Sequence, residues 1–157
     1  MVTREAVRAL FVDESGAVLL MRVVEPSSQQ AVWISPGGGR LGGEDLVTTI
    51  RREVHEELGV TLTEELVHQP DLAREHSFSW GAKRIDQREH FFLIRCQRFA
   101  PPRCVDGEAG ATFACEHRWW AAGEIDESTD LFAPEHLATI LRQLHETHNL
   151  GDQPPTS

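Results

Sequence analysis

Apolar and polar positions follow two different rhythms along this 157-residue chain. Residues 6 to 12 and 17 to 24 are rich in Val, Leu, Ala and Phe and are separated by Asp13, Glu14, Ser15 and Gly16, a pattern that predicts a β-hairpin. A polar loop follows at 25 to 30, and Trp33 then leads a short strand into the breaker cluster Pro36, Gly37, Gly38 and Gly39. There the rhythm changes. Leu46, Ile50, Val54 and Leu58 recur every four residues, the stripe that an amphipathic helix lays against a core. Asp45 stands where an N-cap belongs, and Gly59 where a left-handed residue ends a helix. Farther on, residues 65 to 80 alternate weakly and read as strand and loop, while 84 to 95 end with clear strand character. A polar, proline-bearing connection spans 98 to 111, long enough to suggest a functional loop. FACEHRWW predicts a further strand and AAGEID a turn or short helix; Pro134 opens a last helix with Leu137, Ile140, Leu141 and Leu144 on one side. With no repeat and no linker in this order, residues 1 to 150 are expected to form a single domain and 151 to 157 a frayed tail. Strands, helix, strands and helix imply an α+β or α/β sandwich with a mixed β-sheet between helices.

Charge narrows the choice of partners. A formal charge of −10 and a pI near 5.2 argue against a general nucleic-acid or acidic-membrane binder, since a polyanion is repelled except at a local basic patch. No stretch reaches the ~20 apolar residues that a membrane span needs. The first residues carry Arg4, Glu5 and Arg8 and lack the apolar centre of a signal peptide, so a cytoplasmic location is expected. Cys96, Cys104 and Cys115 are odd in number and have no CxxC spacing, which reads as reduced thiols rather than a disulfide framework or zinc site. The eight histidines show no paired ligand spacing.

Acidic residues lie off the apolar stripe of the 46 to 58 helix. Glu53, Glu56 and Glu57 stand at i, i+3 and i+4, so their carboxylates gather on one helix face and repel each other unless a cation neutralises them. Hard oxygen ligands of this kind suit Mg²⁺ or Mn²⁺, ions that keep several waters and bridge to substrate phosphates. Arg51 and Arg52 bring positive charge, and Arg52 is placed to pair with Glu44 or Glu56. Alone, such a run is more often a solvated acidic face. The glycine turn at a fixed distance before it points instead to a ligand approached closely by backbone.

Gly38, Glu44, Arg52, Glu53, Val54, Glu56, Glu57, Gly59 and Val60 fill every specified position of the Nudix box, so the chain resembles the Nudix hydrolases. That resemblance implies an α/β/α sandwich and a metal-dependent enzyme cleaving a nucleoside diphosphate linked to another group. It implies Glu53, Glu56 and Glu57 as ligands to Mg²⁺ or Mn²⁺, joined by the carbonyl of Gly37 or Gly38, with Arg52 and Glu44 orienting them. The general base is a box glutamate or a later one, for which Glu116 is favoured, then Glu108, then Glu89. Arg22, Arg40 and Arg88 are candidates to meet phosphates, and Trp33, Phe78, Trp80 and Phe132 to stack on a base. Pro70 lies too early to match the proline of ADP-ribose-specific relatives, and the chain has no tyrosine to match that of the dinucleoside polyphosphate hydrolases. A small nucleotide, above all a nucleoside triphosphate or its oxidised form, is therefore the expected substrate. Many similar enzymes are homodimers. The alternative is a silent domain that binds a nucleotide as a sensor or protein partner, against which the intact acids weigh.

Overall fold

The longest strand pairing among the described residues joins segments 83 residues apart, as in Val2 opposite Ile85. The computed structural model describes residues 2–101 and 116–151, with side chains described for 3–101 and 116–146. Glu108, Cys104, Cys115, most of the 98 to 111 connection and the tail after Gly151 lie outside those residues. Strand β1, Val2–Val12, runs parallel to β6, Lys83–Arg95, in register from Val2 opposite Ile85 to Val12 opposite Arg95. β1 therefore starts four residues before the apolar run does. Its polar first half is held by a long-range partner that local patterning does not reveal.

β5, Leu72–Trp80, completes this half of the sheet against β6. The other half is built on β2, Val18–Val24, which pairs with β3, Ala31–Ile34, and with β7, Glu116–Trp120. β8, Leu131–Ala133, adds a parallel edge to β3. The expected hairpin forms, closed by the Asp13 N–H to the Ala17 carbonyl at 2.9 Å and the Val12–Val18 pair. Beyond that pair β1 turns to β4, Gly37–Gly39, so the two halves splay apart and leave a wedge. Neither β4 nor β8 is predicted by the sequence, because three glycines and the triplet LFA carry no periodicity of their own.

Helices cover both faces, giving the expected α/β sandwich with a mixed sheet. Helix α1, Leu46–Leu58, buries Ile50, Val54 and Leu58 completely against Val7, Ala9, Phe11, Leu19 and Phe92. Each of those side chains contributes about 2 kcal/mol of burial. On the other face α2, Ala122–Glu127, and α3, Leu137–Gly151, pack Ile125, Leu137, Ile140, Leu141 and Leu144 over Leu10, Leu20 and Phe91. Pro134 stands three residues before α3 rather than at its first position. Among the described residues no helix is long and apolar enough to cross a membrane.

Candidate active site

Helix α1 is fixed at both ends as its sequence requires. The Asp45 carboxylate accepts the Thr48 N–H at 2.7 Å, and Gly59, at φ 72°, donates its N–H to the His55 carbonyl. That fixes which face carries the acids. Arg52 then collects three of them. Its guanidinium donates to both oxygens of Glu44, at 2.7 and 3.0 Å, to Glu53 at 2.9 Å and to Glu56 at 3.3 Å, and also to the Gly39 carbonyl at 3.2 Å. The planar fork of arginine matches this set, which a lysine cannot reproduce. The hydrogen bond from Arg52, helped by the Leu41 N–H, holds the Glu44 carboxyl down at about 2. Glu44 also takes the Thr49 hydroxyl at 3.2 Å, so the loop before α1 is tied to its first turn.

Glu57 has a different environment. Its carboxylate is 4% exposed and accepts the Gly37 N–H at 3.3 Å. Burial, then its hydrogen bond to Glu53 and the charge of Glu53, push its pKa well above the ordinary value, while Arg8 opposes the shift. Gly37 is required at this contact. At φ 151° a Cβ would lie 2.0 Å from the Val7 carbonyl oxygen, so only glycine lets β4 pass between β1 and Glu57.

The wedge opens from Glu57 as a cavity of about 230 Å³. One wall is polar and comes from β1 and β6: Arg8 pairs with the buried Glu89 at 3.5 Å, and Arg4 donates to Gln87 at 2.5 Å. The opposite wall is apolar, with Met21 and Val23 of β2 and Val32 and Ile34 of β3. His76, Phe78 and Trp80 line the cavity from alternate positions of β5, on the β6 side, and the His76 ring stacks on Phe78 at 5.3 Å. Burial lowers the pKa of His76. Arg74 reaches His76 Nδ1 at 2.9 Å and can only donate, so the proton of the neutral ring sits on Nε2.

The expected residues divide by strand parity. Phe78 and Trp80 line the cavity, as does Glu89, whereas Arg22, Trp33 and Arg88 alternate with cavity-facing neighbours and turn away. Arg22 instead pairs with Glu116 at 3.8 Å, and Arg88 with Glu75 at 3.7 Å. Trp33 is buried in the far core, edge-on to Trp120, with its indole N–H on Asp130 at 3.1 Å. Phe132 also packs edge-on against Trp120. Arg40 ties Glu5 at 2.9 Å to the Glu44 carbonyl at 3.2 Å, outside the cavity. Glu116 is half exposed and does not line the cavity. Arg4, Arg8, His76 and Gln87 were not singled out in the sequence, where their signal is faint: Arg8 interrupts an apolar run, while Arg4, His76 and Gln87 lie among other polar residues that hide the alternation. Cys96 is reduced in role to packing, its thiol pushed up to about 11 by burial.

As a cation site, the carboxylates are near each other but drawn two ways. Among the described residues no three acidic, His or Cys side chains converge as a finished metal site, because Arg52 draws Glu53 and Glu56 toward itself. The donor set still fits a hard divalent ion. Two buried carboxylates share a hydrogen bond, and Glu56, on the exposed side of the same face, has room to turn toward them.

Comparison with known proteins bears on the family and the fold. The family model described as the NUDIX domain matches residues 2–144. An RNA pyrophosphohydrolase of Acidiphilium cryptum is 31% identical over 128 residues, covering 78% of this chain and 77% of its own length. Among solved structures, a NUDIX hydrolase from Nitrosomonas europaea superposes with a TM-score of 0.61 at 18% identity, covering 96% of this chain and 91% of that one. The MutT protein of Methanosarcina mazei gives 0.58 at 21% identity, covering 94% and 96%.

Proposed function

The chain belongs to the Nudix hydrolase family, and from that premise we propose that it is a divalent-metal-dependent pyrophosphohydrolase acting on a small nucleotide, above all a nucleoside triphosphate or its oxidised form. One observation carries this reading: the buried Glu57 is shared between the acidic helix and a cavity with stacking and polar walls, so a diphosphate at Glu57 places its organic group against Phe78 and Trp80. Glu53, Glu56 and Glu57, with the carbonyl of Gly37 or Gly38, would hold Mg²⁺ or Mn²⁺. Bound there, such an ion would neutralise diphosphate oxygens and lower the pKa of a water. Arg52, anchored on Glu44, sets the rotamers of Glu53 and Glu56. A bound cation would favour the ionised form of Glu57 and so oppose the upward shift that burial and Glu53 give it. Of the later glutamates weighed as base, Glu89 is the one among the described residues that lines the cavity, and Arg8 orients it.

The test is a turnover screen with Mg²⁺ and with Mn²⁺ over nucleoside triphosphates, oxidised nucleotides, nucleotide sugars and dinucleoside polyphosphates. A 5′-triphosphorylated oligoribonucleotide belongs in it, given the name of the Acidiphilium relative. Metal-dependent release of a nucleoside monophosphate is expected, and its loss in Glu53→Gln with an unchanged circular dichroism spectrum. Turnover retained in Glu53→Gln would sink the proposal. Nucleotide binding without product in the wild type would favour the sensor reading.

A further inference from the structure

Inside the cavity, one buried polar side chain has half of its hydrogen-bonding capacity unused. Gln87 is 4% exposed and lies on the cavity face of β6. Its amide oxygen faces Arg4 Nε at 2.5 Å. Arginine has no acceptor, so the atom it faces has to be the oxygen, and the amide cannot flip. The two N–H bonds of that amide make no hydrogen bond to another described residue and stay open to the cavity. A donor that opens into the cavity has to be met by an acceptor of whatever ligand displaces the water there, since a donor left dry and unpaired is costly.

Its position agrees with a nucleobase. Arg8 lies opposite Gly37 in β4, at the Glu57 end, while Arg4 lies opposite Gln87. Four residues of β1 separate those two levels, roughly 13 Å at the strand rise and comparable to the length of a nucleoside 5′-phosphate. The acids that line the cavity offer little competition at that far level. Glu25 already accepts the Ser28 and Gly81 N–H groups, and Glu89 lies two residues closer to Glu57, paired with Arg8.

Resting on the reading of the site as one for a nucleoside diphosphate derivative, we infer that Gln87 is a specificity-determining residue: its locked amide donates to a ring carbonyl and selects 6-oxopurines over 6-aminopurines. An exocyclic amino group at that place would set donor against donor, and Arg4 prevents the amide from turning its oxygen to meet it. Selection of this kind is strong because a mismatched base would cover the donor and leave it unpaired.

The inference is tested by binding, without turnover. With metal removed by chelation, inosine 5′-monophosphate and adenosine 5′-monophosphate are titrated by calorimetry against the wild-type protein, Gln87→Leu and Gln87→Glu. Inosine 5′-monophosphate is expected to bind the wild type on the order of tenfold more tightly or better. The preference should vanish in Gln87→Leu. In Gln87→Glu, where the donor becomes an acceptor, it should vanish or reverse. Equal affinity of the wild type for the two nucleotides would overturn the inference whether or not either variant folds, and so would a preference that survives in Gln87→Leu. If the wild type prefers the oxo form but no nucleotide is ever hydrolysed, the enzymatic reading fails and the assignment of Gln87 stands. If turnover occurs without base preference, the reverse holds.

Discussion

The two ends of the cavity are built on opposite principles. At the Glu57 end, charges are crowded and held by a network within one helix and the turn before it: Arg52 reaches Glu44, Glu53 and Glu56, and Glu57 accepts from Gly37. At the Trp80 end, the parts come from β1, β2, β3, β5 and β6, and the contacts are mostly apolar. The first arrangement suits chemistry on a highly charged group, where binding a cation relieves repulsion already present. The second suits recognition of a flat organic group, where area and one or two directed hydrogen bonds decide affinity. Catalysis and selection should therefore respond to different substitutions.

The sharpest break is Glu57→Gln. Loss of this buried carboxylate should lower kcat roughly a thousandfold with little change in KM, measured by nucleoside monophosphate release. Melting temperature should hold or rise, because the amide removes the repulsion with Glu53. A fall in stability would mean that Glu57 is structural. Next, Arg52→Lys keeps the charge but cannot engage both oxygens of Glu44 and still reach Glu53. A drop of about 10- to 100-fold in kcat and in Mn²⁺ affinity is expected, with KM for the nucleotide largely kept. At the other end, Phe78→Ala should raise KM about tenfold through lost stacking and leave kcat within a factor of about two. A change in kcat instead would erase the division between the two ends.

The smallest effect concerns stability and pH. Glu44 titrates at about 2 in the folded protein against an ordinary value of 4.5, chiefly through Arg52. Its contribution is therefore complete above pH 4.5 and is lost as pH falls toward 2. Glu44→Gln should lower the melting temperature by a few degrees at neutral pH. In scans at successively lower pH, the gap should close below 4.5. A gap that stays constant would show that the charge of Glu44 is not what supports the helix.

The same contrast explains which residues could be read in advance. Glu53, Glu56 and Glu57 follow from spacing alone, since a helix converts i, i+3 and i+4 into one face wherever it sits. Gly37 follows from its place in a breaker cluster, although the carbonyl of Val7 that makes glycine obligatory comes from β1. On strands the matter differs. Arg22, Trp33 and Arg88 have the right chemistry for phosphates or a base, yet each is one residue out of phase with the cavity wall. A period of two means that a single step reverses the face, and which face looks into the wedge is set by how β1 and β2 diverge after Val12 and Val18.

The sequence by itself determined the acidic module, its helix with both caps, and the family to which the chain belongs, because all of these are carried by the 23 consecutive residues from Gly38 to Val60. Only the tertiary structure decided that Glu116 faces Arg22 and not the cavity, that Glu89 and Gln87 line it, and that Arg4 and Arg8 hold them. The pairings of Arg4 and Arg8 join residues some eighty positions apart through the parallel register of β1 on β6, and Glu116 meets Arg22 through the pairing of β7 on β2. A register of that reach is fixed by the packing of the whole sheet, and no local pattern of side chains encodes it.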